Sequence, residues 1–267
     1  MPRRGKPLTL RPIRPAAPIR EKYEARLKAA VDQMHRSIAR EIAAEWRRNT
    51  PETVMFGEDE TSASAMQKVM NQLSRSWLKR FDELSENLAD YFAKAVFARC
   101  DRTLQADLRK GGFSVRFKMT KPMRDAYAAI RAENVGLIRS VAEQHLSKVE
   151  TLVMQSVSRG RDLKTLTSEL TKQTGISKRR AANIALHQNN MATSTMRSVR
   201  ERELGITEGE WVHSGAGRHP RPAHKAFSGK RFKLSEGHDF GDGFGKVLPG
   251  QAINCHCTWR AIVPGFD

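Results

Sequence analysis

The residues best equipped for chemistry lie near the C-terminus. His213, His219, His224, His238, Cys255, His256 and Cys257 place most of the chain's histidines and two of its three cysteines in one stretch. Thiolate and imidazole together are zinc ligands. If Cys255-His256-Cys257 is a strand, both sulfurs share one face and His256 takes the other. His224 from the preceding loop then supplies a third ligand, with His213 or His219 as a fourth. The spacing argues against this, because the cysteines of most zinc sites are separated by about two to four residues and here only His256 intervenes. The alternative is two buried free thiols packing as small hydrophobes, with no cofactor.

The same residues admit a second chemistry. His224, Asn254 and Cys255/Cys257 with a divalent metal would make a phosphodiester hydrolase whose basic surface holds the substrate. No acidic pair sits at helix or strand spacing to hold magnesium. Asp239 and Asp242 lie among glycines and read as turn residues. Cys255 as a nucleophile has no evident base. The chain also lacks a phosphate loop, a dinucleotide fingerprint, a Gly-x-Ser-x-Gly elbow and His-Glu-x-x-His. The better reading is a protein that is not an enzyme, with the metal-dependent nuclease as the alternative.

Simpler roles fit the neighbouring residues. Ser228-Gly229-Lys230 reads as a tight turn. Leu248-Pro249-Gly250 reads as a type II turn with Pro249 second and Gly250 third. Asn254 is suited to bonding backbone at a strand entry.

The elements that must carry these residues divide at Gly205. Eleven of the 18 glycines fall between residues 205 and 265, so residues 21–204 read as mostly helix. Tyr23, Leu27, Val31, Met34, Ile38, Ile42 and Trp46, spaced at three and four, predict a first helix over 21–48. A second helix is expected from about Ser62 to Leu108. In it Met70, Trp77, Leu84, Tyr91 and Ala98 repeat every seven residues, with Phe81, Leu88 and Ala95 alongside. At ~1.5 Å per residue it would reach ~70 Å, so an elongated shape or a break near Arg80 is expected. Its seam is either a bundle core or an oligomer contact. Lys110-Gly111-Gly112 stops it, and Phe113–Phe117 alternates like a short strand or link.

Pro122 opens a third helix toward Val157, with a kink at Gly136 and a stop at Gly160. Asp162 is expected to cap a short helix over Leu163–Gln173. Gly175 would end that, and Ser177 would cap another running to Leu204. Beyond it, 210–213, 230–234 and 255–260 read as short strands. The fold class is therefore α+β, mostly α-helical: an elongated helical region followed by a small antiparallel β-rich C-terminal element.

Charge sorts the chain differently. The 267 residues carry a formal net charge of +18, which points to a polyanionic partner. Residues 1–20 hold six basic side chains, no acid and five prolines, and read as a disordered basic arm. Arg3, Arg4, Lys6, Arg11 and Arg14 of this arm are candidate DNA contacts. So are Lys178, Arg179 and Arg180, which at a helix start would oppose its dipole and so serve a partner or a tertiary acid. Residues 102–180 form the other basic block. No apolar run approaches the ~18 residues of a membrane span, nor is there a signal-type stretch at the N-terminus. Three cysteines fit a reducing compartment rather than a disulfide scaffold. The expected divisions are 1–20, a long-helix region 21–119, and 120–267, itself split into helices (120–204) and a β-rich part (205–267).

The C-terminal third also resembles a known family. The series Trp211-Val212-His213-Ser214, Arg221-Pro222-Ala223-His224, Gly229-Lys230-Arg231-Phe232, Leu248-Pro249-Gly250 and Asn254-Cys255-His256-Cys257 is similar to the phage Mu F-like head morphogenesis family. The family's pattern is Arg-Pro-x-His, a Gly with a basic and an aromatic residue, Pro-Gly, and Asn-Cys-Arg-Cys. The helices over 132–160 and 177–204 resemble the region preceding it. Two positions depart: His256 stands where the family usually has Arg, and Leu186 stands at another Arg position. The resemblance implies a minor capsid protein of the virion head, assembled in the host cytoplasm. It would associate with the portal and other head proteins and act in DNA packaging or delivery with non-specific DNA contact. It implies a structural motif in Trp211, Arg221, Pro222, His224, Gly229, Pro249, Gly250, Asn254, Cys255 and Cys257. With the chain ending at Asp267, no further toxin or nuclease domain is expected.

Overall fold

The apolar stripe of the first helix becomes a buried face in full, that of the second only in part. In this computed structural model, residues 8–48, 62–159, 162–215 and 220–264 are described. Helix α1 (Ala17–Arg48) buries all seven residues of the predicted stripe, from Tyr23 to Trp46. Helix α2 (Ser62–Lys110) is unbroken at Arg80. Its buried face does not follow the heptad. Met70, Trp77, Phe81 and Leu88 are buried, and then the face passes to Phe92, Val96, Cys100 and Leu104. Leu84 and Tyr91 are half-buried and Ala98 is exposed. A straight helix has 3.6 residues per turn, so a seven-residue repeat drifts off the buried face by ~20° per heptad. The buried members of the proposed oligomer seam are already covered within the chain.

Helix α3 (Lys121–Ser158) runs through Gly136, and α4 (Leu163–Glu203) runs through Gly175. The expected stop at Gly175 and cap at Ser177 do not form. Ser177 is buried with its hydroxyl 2.9 Å from His145 Nδ1, and Leu166, Leu170, Ala181 and Ile184 are buried on either side. That burial outweighs the ~1 kcal/mol that glycine costs inside a helix. The beginning and end of α4 are as expected. Asp162 accepts the Thr165 backbone N–H at 2.8 Å, which holds its carboxyl below the usual range. At the other end Gly205 N–H reaches Arg202 O and Ile206 N–H reaches Glu201 O, the paired bonds of a Schellman stop.

The chain folds into two compact units, each built from separate stretches of sequence. Residues 22–89 and 133–184 form one compact unit, and residues 1–21, 90–132 and 185–267 form the other. In the first, Lys178–Asp32 (3.0 Å), Arg139–Asp82 (2.7 Å), Gln67–Glu150 (2.7 Å) and Arg180–Ser140 (2.9 Å) tie the four helical segments together.

The second unit holds the sheet. β1 (Glu208–Val212) lies between β2 (Arg231–Lys233) and β5 (Thr258–Ile262), antiparallel to both. β3 (His238–Asp239) and β4 (Lys246–Val247) form a separate ladder. Trp211 lies opposite Trp259, and Glu210 meets Arg260 at 2.6 Å on the exposed face. Gly209 is required by close approach: a Cβ there would come within 2.7 Å of the Trp259 ring. Phe113–Phe117 is an extended link, not a strand.

The arm read as disordered is packed where it is described. Leu10 and Ile13 are buried, Leu10 N–H donates to Ala261 O, and Val263 N–H donates to Leu8 O. Residues 8–10 thereby cover the free edge of β5, a polar edge that otherwise invites mispairing. Arg3, Arg4 and Lys6 lie outside the described residues.

Within this unit the last five turns of α4 bury a polar face. Asn189 and Asn190 donate to Ala16 O and Cys255 O, and Ser198 donates to Leu234 O. Arg197 reaches Thr258 Oγ1, which in turn donates to Ile13 O. Irregular chain packed against a helix leaves backbone carbonyls that an apolar face would strand; these side chains satisfy them.

Candidate functional site

His224 is held by aromatic rings. Pro222 begins the short helix α5 (Pro222–Ala226), and Arg221 before it is extended, as a residue preceding proline must be. One turn places His224 inward at 2% exposure. Its ring stacks on Phe240 with centroids 4.0 Å apart, and Trp211 meets it edge-on at 5.4 Å. The Gly229 turn locks this arrangement: Gly229 N–H donates to Trp211 O at 2.8 Å, and Trp211 N–H donates to Lys230 O at 2.9 Å.

The segment 248–257 delivers the cysteines. Gln251 N–H donates to Leu248 O, and Gly250 has φ 91°, which together make the expected type II turn. A Cβ on Gly250 would lie 3.3 Å from Cys257 O and 3.4 Å from Asn190 O. Asn254 has φ 58°, the left-handed conformation that a short amide tolerates better than most side chains. Its contribution is this reversal of the chain, after which Cys255 N–H donates to Ala252 O. Cys255 and Cys257 precede β5 rather than belonging to a strand, so strand alternation is not what aligns them. Both are nevertheless buried on the side of His224. Cys255 Sγ is 3.5 Å and Cys257 Sγ 3.9 Å from His224 Nδ1. His256 between them is half-buried, with Nδ1 3.3 Å from Asn190 Nδ2.

The two sulfurs differ electrostatically. A hydrogen bond from Cys257 pulls the Cys255 thiol well below its ordinary range against burial, and backbone N–H groups of Cys257 and Gly250 assist. Cys257 moves up, first through that shared proton and then through burial. Backbone N–H of Ser214 and the Trp211 indole favour its thiolate in part. By contrast, burial pushes Cys100 up to about 12, and its Sγ faces Thr193 O at 3.9 Å, a structural thiol. On the far side of the imidazole, His224 Nε2 is buried without a hydrogen-bond partner. Asp242 Oδ2 lies 3.7 Å from it and 3.6 Å from Arg221 Nε.

The fold thus brings together Trp211, Arg221, His224, Gly250, Cys255 and Cys257. It does not bring in His213, whose Nδ1 accepts the Gly215 N–H. His219 lies outside the described residues. A nuclease reading needs these groups to meet a phosphodiester, yet His224, Cys255 and Cys257 are 2%, 4% and 8% exposed. The basic candidates are dispersed. Lys178 pairs with Asp32, and Arg180 donates to Ser140, so these two answer to tertiary partners. They lie inside α4, not at a helix start. Arg179, Arg11 and Arg14 are exposed. Arg14 and Arg20 line a cleft of about 180 Å³ with Leu186, Asn189, Asn190 and His256, so both positions that depart from the family pattern face one cavity.

Asp242 has the turn role read from the sequence, accepting the Phe244 N–H at 3.4 Å, but its place beside His224 and the buried polar face of α4 were not foreseen. The four-residue spacing of Arg197 and Glu201 was a usable signal for the latter.

Comparison with known proteins adds a family. Residues 147–260 match the family described as Phage Mu protein F like protein. An uncharacterized protein of Haemophilus influenzae (strain ATCC 51907 / DSM 11121 / KW20 / Rd) is 26% identical over 246 residues, covering 88% of this chain. The chain spans about half that relative's length, 51%. No solved structure matches it. No helix among the described residues is long and apolar enough to cross a membrane.

Proposed function

We propose that this chain, whose residues 147–260 match the family described as Phage Mu protein F like protein, is a minor protein of a phage head acting in head morphogenesis. The observation that carries this reading is the extent of the match. It runs from α3 through all of α4 to β5, and so takes in the polar helix face, the His224 helix and the Pro249–Cys257 segment that pack as one unit.

In finer terms, the protein associates with the portal and other head proteins and contacts DNA without sequence preference during packaging or delivery. Its place is the virion head, reached by assembly in the host cytoplasm. The net charge of +18 supports DNA contact, because basic side chains that neutralise phosphates release the counterions condensed on DNA whatever its sequence. The role is structural rather than enzymatic, a reading supported by the burial of the His/Cys group.

Mass spectrometry of purified heads tests the assignment. The protein is expected there in few copies relative to the major capsid protein. Presence in infected cells with absence from heads overturns it in favour of a transient assembly factor. Pure protein incubated with supercoiled plasmid and each common divalent metal is expected to leave the plasmid intact; metal-dependent nicking overturns the structural reading.

A further inference from the structure

We infer that His224 Nδ1, Cys255 Sγ and Cys257 Sγ form a zinc site, with Asp242 orienting His224 from behind and solvent oxygen in the fourth position. This goes beyond a role in the head and does not depend on it.

The distances already fit. Zn–S near 2.3 Å and Zn–N near 2.0 Å at a tetrahedral angle put sulfur and nitrogen about 3.5 Å apart. The observed separations from Nδ1 are 3.5 and 3.9 Å, and the three ligand atoms all lie within 4.8 Å of one another. Both sulfurs are directed at one ring nitrogen, a convergence that apolar packing of two thiols does not require.

The surroundings are those of ligands. Metal-bound histidine places its other ring N–H toward a carboxylate, which fixes tautomer and orientation. Asp242 Oδ2 stands 3.7 Å from Nε2, which is otherwise buried and unpartnered. Arg221 stands beside the same carboxylate at 3.6 Å. Around the sulfurs, backbone N–H groups of Gly250 and Cys257 face Cys255, and that of Ser214 faces Cys257. Such donors stabilise thiolate ligands. The rings of Trp211 and Phe240 pack on the imidazole and hold Nδ1 in its direction toward the sulfurs.

The close cysteine spacing that argued against zinc is resolved by the backbone. The turn at Gly250 and the left-handed Asn254 set the chain so that both sulfurs face His224 while His256 faces the neighbouring cleft. Two thiolates and an imidazole select zinc over the hard cations magnesium and calcium. Bound there, zinc would staple α5 to the segment entering β5.

Full-length protein purified without chelator and under reducing conditions is the test. About one equivalent of zinc is expected by elemental analysis. Cobalt(II) added to stripped protein should give the intense visible bands of a tetrahedral site with sulfur-to-metal charge transfer. Cys255→Ser with Cys257→Ser should lose both. Asp242→Asn should remain folded by circular dichroism and bind metal about 10–100-fold more weakly. Wild-type protein with no zinc as purified and no cobalt bands on titration overturns the site. So does zinc content unchanged in the double cysteine variant.

Discussion

Trp259 Nε1 donates to Glu201 Oε2 at 2.6 Å, joining the second residue of β5 to the last turn of α4 in full burial. Arg197 completes the contact: its Nε reaches Glu201 Oε1 at 2.6 Å, and its guanidinium lies 4.1 Å from the Trp259 ring centroid. Burial pushes the Glu201 carboxyl up, and Arg197 opposes it. Breaking a buried pair strands the remaining charge, so Glu201→Gln should destabilise by about 3–5 kcal/mol in urea unfolding. Trp259→Phe, which removes only the donor and some area, should cost about 1–3 kcal/mol. Adding Arg197→Met to Glu201→Gln should restore part of the loss. A double variant as unstable as the sum of the singles would show the pair is not coupled.

Gly250 carries a backbone demand. Gly250→Ala places a side chain at φ 91° and presses a methyl toward Cys257 O and Asn190 O. The expected loss is about 1–3 kcal/mol. Gly136→Ala, in a helix with open space around the site, should be neutral or stabilising and serves as the control. Equal effects on thermal unfolding would reject the argument.

His145 makes stability depend on pH. Burial, with a contribution from nearby His35, lowers it from 6.5 to about 4. Its Nδ1 meets Ser177, and Nε2 is buried with no hydrogen-bond partner, so a second proton has nowhere to bond. The folded state therefore keeps His145 neutral while the unfolded chain takes up a proton. Its contribution is complete above pH 6.5 and is lost as pH falls toward about 4, by at most about 3 kcal/mol. Urea unfolding at about pH 7 and about pH 4.5 should show a smaller acid loss in His145→Gln than in wild type. Equal losses would assign the acid sensitivity elsewhere.

The basic candidates should separate in DNA binding. Each phosphate contact contributes about −0.9 to the slope of log affinity against log salt. Replacing Arg3, Arg4 and Lys6 together by alanine should flatten that slope by about 2–3 in gel shifts. Lys178→Ala should leave the slope nearly unchanged and lower stability slightly, because Lys178 is engaged with Asp32 at 3.0 Å. The reverse pattern would move the contact to α4.

Residue types and their order were enough to identify much of this protein. The spacing of Tyr23 through Trp46 specified α1, Asp162 and Gly205 marked the outer limits of α4, and Trp211, Arg221-Pro222-x-His224 and Asn254-Cys255-x-Cys257 carried the family likeness. The likeness in the last of these lies in Asn254, Cys255 and Cys257, His256 being a departure from it; such features are local or periodic, so their physics is contained in a few consecutive residues. Tertiary structure decided the rest. It carried α4 through Gly175, because burial on both sides outweighs one residue's propensity. It laid residues 8–10 along β5, because an open strand edge offers hydrogen bonds that no arm can show in its own composition. It placed Asp242 behind His224 and aimed two closely spaced sulfurs at one nitrogen, because side-chain convergence depends on backbone turns and packing between segments far apart in the chain.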